Sequence, residues 1–119
     1  MPLVMTRPTQ SGPTSVPGYS TTSIVPSNAT SIVDTSYDTT TKWIVTIRNM
    51  LHSRVQAFEV LALRRGNGSP THSQYSQIGD WFDYRLVVDV VGGNLQIKID
   101  NRESNDLYVN ITQIRISNP

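Results

Sequence analysis

The segment YRLVVDVVGGNLQIKID, Tyr84–Asp100, decides how this chain folds. Gly92-Gly93 separates two runs in which apolar and polar residues alternate, the period of a strand with one buried face. A two-residue turn there pairs Val90 with Leu95, Val88 with Ile97 and Leu86 with Ile99, which gathers these six apolar side chains on one face. The opposite face then sets Arg85 against Asp100 and Asp83 against Arg102. Sliding the turn to Gly93-Asn94 keeps the apolar face but sets Arg85 against Arg102, a like-charge pair that costs stability. Charge therefore selects the first register.

Upstream, Phe82 and Tyr84 continue the apolar face, whereas Trp81 falls in phase with Asp83, Arg85 and Asp89 on the polar one. A Trp on a polar face has three readings: an anchor for a second subunit or partner, a ring packed under a neighbouring loop, or a platform for a sugar. The first is preferred, because Trp is enriched at binding hot spots. Downstream, Leu107, Val109 and Ile111 alternate, after which Ile114 and Ile116 fall on the opposite phase. A bulge near Thr112-Gln113 would reconcile the two.

The same period governs the middle of the chain. Trp43, Val45 and Ile47 share a face, Val55 to Leu63 is apolar on both faces as in a central strand, and Ser73 to Ile78 is a weaker run. The loop Arg65 to Pro70 follows from its Gly, Asn and Pro content. With no stretch of helical periodicity, the expected fold is all-β, an antiparallel sandwich or jelly-roll-like body. Glu59 interrupts an apolar run and needs a partner; Lys42, Arg48 or Arg54 on an adjacent strand would supply one.

In front of this body the chain changes character. Five of the seven prolines (Pro2, Pro8, Pro13, Pro17, Pro26) lie before residue 27, and Arg7 is the sole charge before Asp34. Ser and Thr supply no apolar stripe, so residues 1–36 are expected to form an extended, partly polyproline-like arm and residues 37–119 the sandwich. The doublets Ile24-Val25 and Ile32-Val33 are its candidate anchors on a partner.

Composition narrows the function classes. The chain has 119 residues, a net charge of +1 and no Cys, so thiol chemistry and thiolate metal sites are out of reach. Lys42, Arg48, Arg54, Arg85, Lys98 and Arg115 are scattered, unlike the basic stripe that nucleic acid requires. No apolar run is long enough for a bilayer and no signal-peptide core is present, so the expected protein is soluble, made in a cytoplasm and not membrane-bound. The three glycosylation sequons at Asn28, Asn67 and Asn110 read as chance in so Ser/Thr-rich a chain. His52 and His72 lie far apart with no partner at metal-ligand spacing, and no nucleophile motif occurs, so neither an enzyme nor a metal or cofactor site is expected.

Five stretches together carry a resemblance: Ile32-Val33-Asp34-Thr35-Ser36, Thr41-Lys42-Trp43-Ile44-Val45-Thr46-Ile47, Phe58-Glu59-Val60-Leu61-Ala62-Leu63, Thr71-His72-Ser73-Gln74-Tyr75 and Gly92-Gly93-Asn94-Leu95. From about Ile32 to Ile116 the chain resembles a β-sandwich module common in the structural proteins of tailed bacteriophages. The resemblance implies a virion protein without catalytic residues that acts by assembling on a larger particle. A capsid decoration (cement) protein is the expectation, a homo-oligomer, dimer or trimer, seated on the major capsid protein or another virion protein. A tail-fibre or baseplate component that binds a host receptor or glycan through loops near Trp81 and Asn67 is the alternative.

Overall fold

The structure, a computed structural model, describes residues 14–49, 53–66 and 68–117. Eight strands follow one another: β1 Thr14–Val25, β2 Thr30–Ser36, β3 Thr40–Asn49, β4 Arg54–Arg64, β5 Pro70–Gly79, β6 Tyr84–Val91, β7 Asn94–Asn101 and β8 Leu107–Ser117. All pairings are antiparallel, and no helix occurs among the described residues. A five-stranded sheet in the order β1-β8-β3-β4-β5 faces a three-stranded sheet in the order β2-β7-β6. The all-β sandwich expected from the alternation is therefore present.

The β6–β7 hairpin adopts the charge-selected register. Val90 faces Leu95, Val88 faces Ile97, Leu86 faces Ile99 and Arg85 faces Asp100. Gly92 and Gly93 both have positive φ, 59° and 82°, the conformation that a primed two-residue turn imposes. Polar pairs finish the outer face: Lys98 meets Asp89 at 2.7 Å, and Asp100 takes Arg102 at 3.1 Å.

The inner faces meet in a core that includes Trp43, Val45, Ile47, Phe58, Val60, Leu95, Ile97, Ile99, Leu107, Val109 and Ile111, all essentially without solvent contact. Phe82 is buried as well, and Tyr84 stacks on Phe58 with ring centres 5.9 Å apart. β4 lies inside its sheet, between β3 and β5, yet only one of its faces is covered. Phe58, Val60 and Ala62 point inward, whereas Leu61 and Leu63 remain open to solvent. Glu59, on that outer face, is paired with Lys42 at 2.7 Å, one of the three partners its position called for.

Two expectations are corrected. The division of the chain after residue 36 is not what the described residues show, because β1 pairs with β8 from Thr14↔Ser117 to Val25↔Leu107 and β2 pairs with β7. A Ser/Thr-rich strand needs no apolar stripe when a neighbour supplies the ladder and its hydroxyls pair across it. Ser20 bonds Thr112 at 2.7 Å, and Asn110 donates to Thr22 at 3.0 Å. The second correction concerns β8. It runs against β3 without a register shift, Gln113 follows Leu107, Val109 and Ile111 inward, and Ile114 lies on the outer face. The irregularity sits instead in β1, between Pro17 and Tyr19.

A polar node explains why Gln113 turns inward. Asp34, on β2, is buried between the sheets, and its Oδ2 accepts from Trp43 Nε1 and Gln113 Nε2, each at 2.8 Å. The Tyr19 hydroxyl donates to Oδ1 of the same carboxylate. One residue from β2 thus ties together β1, β3 and β8 of the opposite sheet. A buried carboxylate is tolerable because three donors take the place of water.

Candidate partner-binding surface

The segment between β5 and β6 carries Trp81, and its backbone is held by hydrogen bonds at Asp80, Trp81 and Asp83. Gly79 ends β5 with φ of 94°, and its Cα lies so near β4 that a Cβ would come within 2.3 Å of the Val55 carbonyl oxygen. Asp80 then clasps Val55 from both sides. Its N–H donates to the Val55 carbonyl at 2.7 Å, and its Oδ2 accepts the Val55 N–H at 2.9 Å. Gln56 Nε2 holds the Asp80 carbonyl at 2.9 Å, and Arg54 Nη1 holds the Trp81 carbonyl at 2.7 Å.

Beneath the loop, Arg54 lies over the buried Phe82 ring, 4.5 Å from its centre, and pairs with Glu103 at 2.8 Å. The second oxygen of Glu103 accepts the Asp83 N–H at 2.6 Å. Tyr84 closes the network by donating to Gln56 at 2.6 Å while it accepts from Gln74 at 2.8 Å. Burial raises the Tyr84 phenol above its usual range. Out of this braced segment the indole of Trp81 projects with 71 % of its surface exposed.

That combination has a physical consequence. A large ring on a backbone already fixed by hydrogen bonds loses little freedom when a partner covers it, so most of the burial energy remains as affinity. Trp81 belongs to the loop before β6 rather than to the polar face of the hairpin, a placement its phase alone did not reveal. Arg54 and Glu103, which present it, were not legible either, being 49 residues apart.

The other four candidate anchors are separated by the fold. Val25 and Val33 are buried in the core, where they serve the sandwich itself. Val33 reaches it because β2 slips register between Ile32 and Asp34, which lets Val33 and Asp34 both point inward. Ile24 and Ile32 are each 53 % exposed, but Ile24 lies beside Tyr108 on the outer face of the five-stranded sheet and Ile32 beside Lys98 on that of the three-stranded sheet. No single groove can receive both doublets. His52, Asn67 and the first thirteen residues of the expected arm lie outside the described residues.

Among the described residues, no three His, Asp or Glu side chains gather as a metal site would require. The one buried carboxylate among the described residues, Asp34, spends both oxygens on Trp43, Gln113 and Tyr19. It could have been suspected from the sequence by the argument applied to Glu59, since Ile32-Val33-Asp34 likewise places an acid after apolar residues.

No protein-family model matches the chain, and no curated protein matches it. Among solved structures, it is similar to the tailspike protein of the Acinetobacter phage vB_ApiP_P1, with a TM-score of 0.48 and 8 % identity over 98 % of this chain. The chain spans 24 % of that tailspike's length.

Proposed function

We propose that this chain is a bacteriophage virion structural protein of the capsid decoration (cement) class, which oligomerises on the particle and stabilises it by adding contacts between subunits. The observation that carries the reading is the exposed Trp81 on a hydrogen-bonded loop, a surface prepared for a protein partner. The resemblance of Ile32 to Ile116 to phage β-sandwich modules supplies the setting. A protein that binds only the assembled lattice stabilises it by mass action, and several copies joined together multiply weak contacts through effective concentration. With Thr14 onward belonging to the sandwich, the loop replaces the doublets of the arm as the principal contact.

The test is Trp81→Ala. Its circular dichroism and melting temperature should match the parent, while self-association or retention on purified particles falls at least about tenfold. Undiminished association and retention in a folded variant would overturn the reading. A tail-fibre or baseplate protein that binds a host glycan is the second reading, favoured because the same short loop carries, two residues after the exposed indole, an exposed Asp83 able to accept hydrogen bonds from sugar hydroxyls. Copy number separates the two: hundreds per particle for decoration, a handful for a tail component.

A further inference from the structure

On the outer face of the five-stranded sheet, away from Trp81, Thr22, Thr46, Arg48, Tyr108 and Asn110 enclose an open cavity of about 370 Å³. The register explains its shape. Thr22, Asn110 and Thr46 stand side by side on β1, β8 and β3, and the next row along the strands places Tyr108 beside Arg48. Three short polar side chains thus adjoin two long ones, a guanidinium and a phenol. Neighbouring strands lie ~4.8 Å apart, so three of them offer a floor on the scale of one sugar ring.

Charge narrows the ligand. Elsewhere on this outer face Lys42 and Glu59 neutralise each other at 2.7 Å, and Arg65 is turned to Thr71 on β5, at 3.1 Å, with β4 between it and the cavity's strands. Arg48 faces Tyr108 on one side and Val55 on the other, with no carboxylate paired to it among the described residues. A guanidinium left free beside a ring and an amide is suited to a planar carboxylate, which it can hold through two parallel hydrogen bonds. Asn110 and the two Thr hydroxyls can donate to and accept from ring hydroxyls, and the Tyr108 face suits the C–H side of a pyranose.

We infer that this cavity is a binding subsite for an acidic saccharide, a six-membered sugar ring bearing a carboxylate. Arg48 takes the carboxylate, Tyr108 the ring face, and Asn110, Thr22 and Thr46 the hydroxyls. The inference stands on this cavity alone and holds whether Trp81 serves a capsid or a tail contact.

The experiment is an NMR titration of the full chain with sodium glucuronate, glucose, sodium acetate and inorganic phosphate in parallel. Glucuronate should move the amides of Thr22, Thr46, Arg48, Tyr108 and Asn110, and each of the other three should bind at least about tenfold more weakly. Arg48→Ala and Tyr108→Ala should each weaken glucuronate about tenfold or more, and Arg48→Lys should recover little because an ammonium lacks the paired donors. Lys42→Ala, on the same face, should bind as the parent does. Glucose equal to glucuronate, acetate or phosphate equal to glucuronate, an Arg48→Lys that binds fully, or no movement of these amides at the highest soluble sugar concentration would each overturn the inference.

Discussion

Asp34 and Trp43 stand on facing sheets, and the indole N–H of one donates to the carboxylate of the other at 2.8 Å, fully buried. Asp34→Ala would leave the Trp43 indole N–H buried with no acceptor and Gln113 with only the Thr35 carbonyl, at 3.1 Å, in place of two, at an expected cost of about 3 kcal/mol. Trp43→Phe removes one donor but also volume, and should cost about 2 kcal/mol. Chemical denaturation of both variants measures this; an Asp34→Ala protein as stable as the parent would show that the node is ornamental.

The third donor to Asp34 gives the node a pH signature. Partial burial, then the hydrogen bond to Asp34, push the Tyr19 phenol from 10.0 up to about 12. The folded state therefore favours the neutral phenol. Its contribution is complete below pH 10, where the unfolded chain is also neutral, and is lost as pH rises from there through 12. Tyr19→Phe should be less stable at neutral pH and lose less stability across that alkaline window. Equal alkaline slopes for the two proteins would contradict the assignment.

Glycine positions separate two kinds of backbone demand. At Gly79, a methyl group would meet the Val55 carbonyl at 2.3 Å on top of a positive φ, whereas at Gly92 the φ is positive but no atom lies within 4 Å. Gly79→Ala should therefore cost more than Gly92→Ala, roughly 3 against 1 kcal/mol. Gly92→Asn should be nearly neutral, because Asn tolerates that conformation. Comparable melting temperatures for the two Ala variants would refute the distinction.

Thr21 is a place to gain stability. Its hydroxyl is buried on the inner side of β1, opposite Ile111, without a hydrogen-bond partner. Thr21→Val exchanges that hydroxyl for a methyl group of like size and should raise stability by about 0.5 to 1 kcal/mol. A lower melting temperature would mean that the hydroxyl is satisfied.

Removing β1 tests whether it is an arm or a strand. A chain starting at Thr30 loses Val25, the Tyr19 contact to Asp34 and the ladder on β8, and should be destabilised by at least about 3 kcal/mol. An arm would leave the sandwich's melting unchanged.

What could be read in the sequence followed the range over which each interaction acts. Leu86, Val88 and Val90 lie within one hairpin of Leu95, Ile97 and Ile99, and the charges at Arg85, Asp100 and Arg102 sufficed to choose between registers. Glu59 and Lys42 sit on adjacent strands and were within reach of the same argument. β1 was hidden because Ser20 and Thr22 are satisfied by Thr112 and Asn110, about ninety residues away. Gln113 was expected to mark a bulge because apolar phase was the guide, and the buried acceptor that draws it inward is 79 residues upstream. Of the candidate surface, the residue type of Trp81 gave the signal, while its presentation depends on Arg54 and Glu103, which only the tertiary fold brings together.

Thr14 and Ser117 are ladder partners at the end of adjacent antiparallel strands. Tension applied at these two residues therefore loads the hydrogen bonds between them one after another, like a zipper opened from its end, rather than all at once in shear. Such a module yields to pulling at low force by shedding its first strand, while the Gly92-Gly93 hairpin, off the line of load, keeps its shape. Stretching single molecules from those two points should record an early extension of about 12 residues' worth of chain before the main rupture; a single high-force event would mean that the load runs through the core instead.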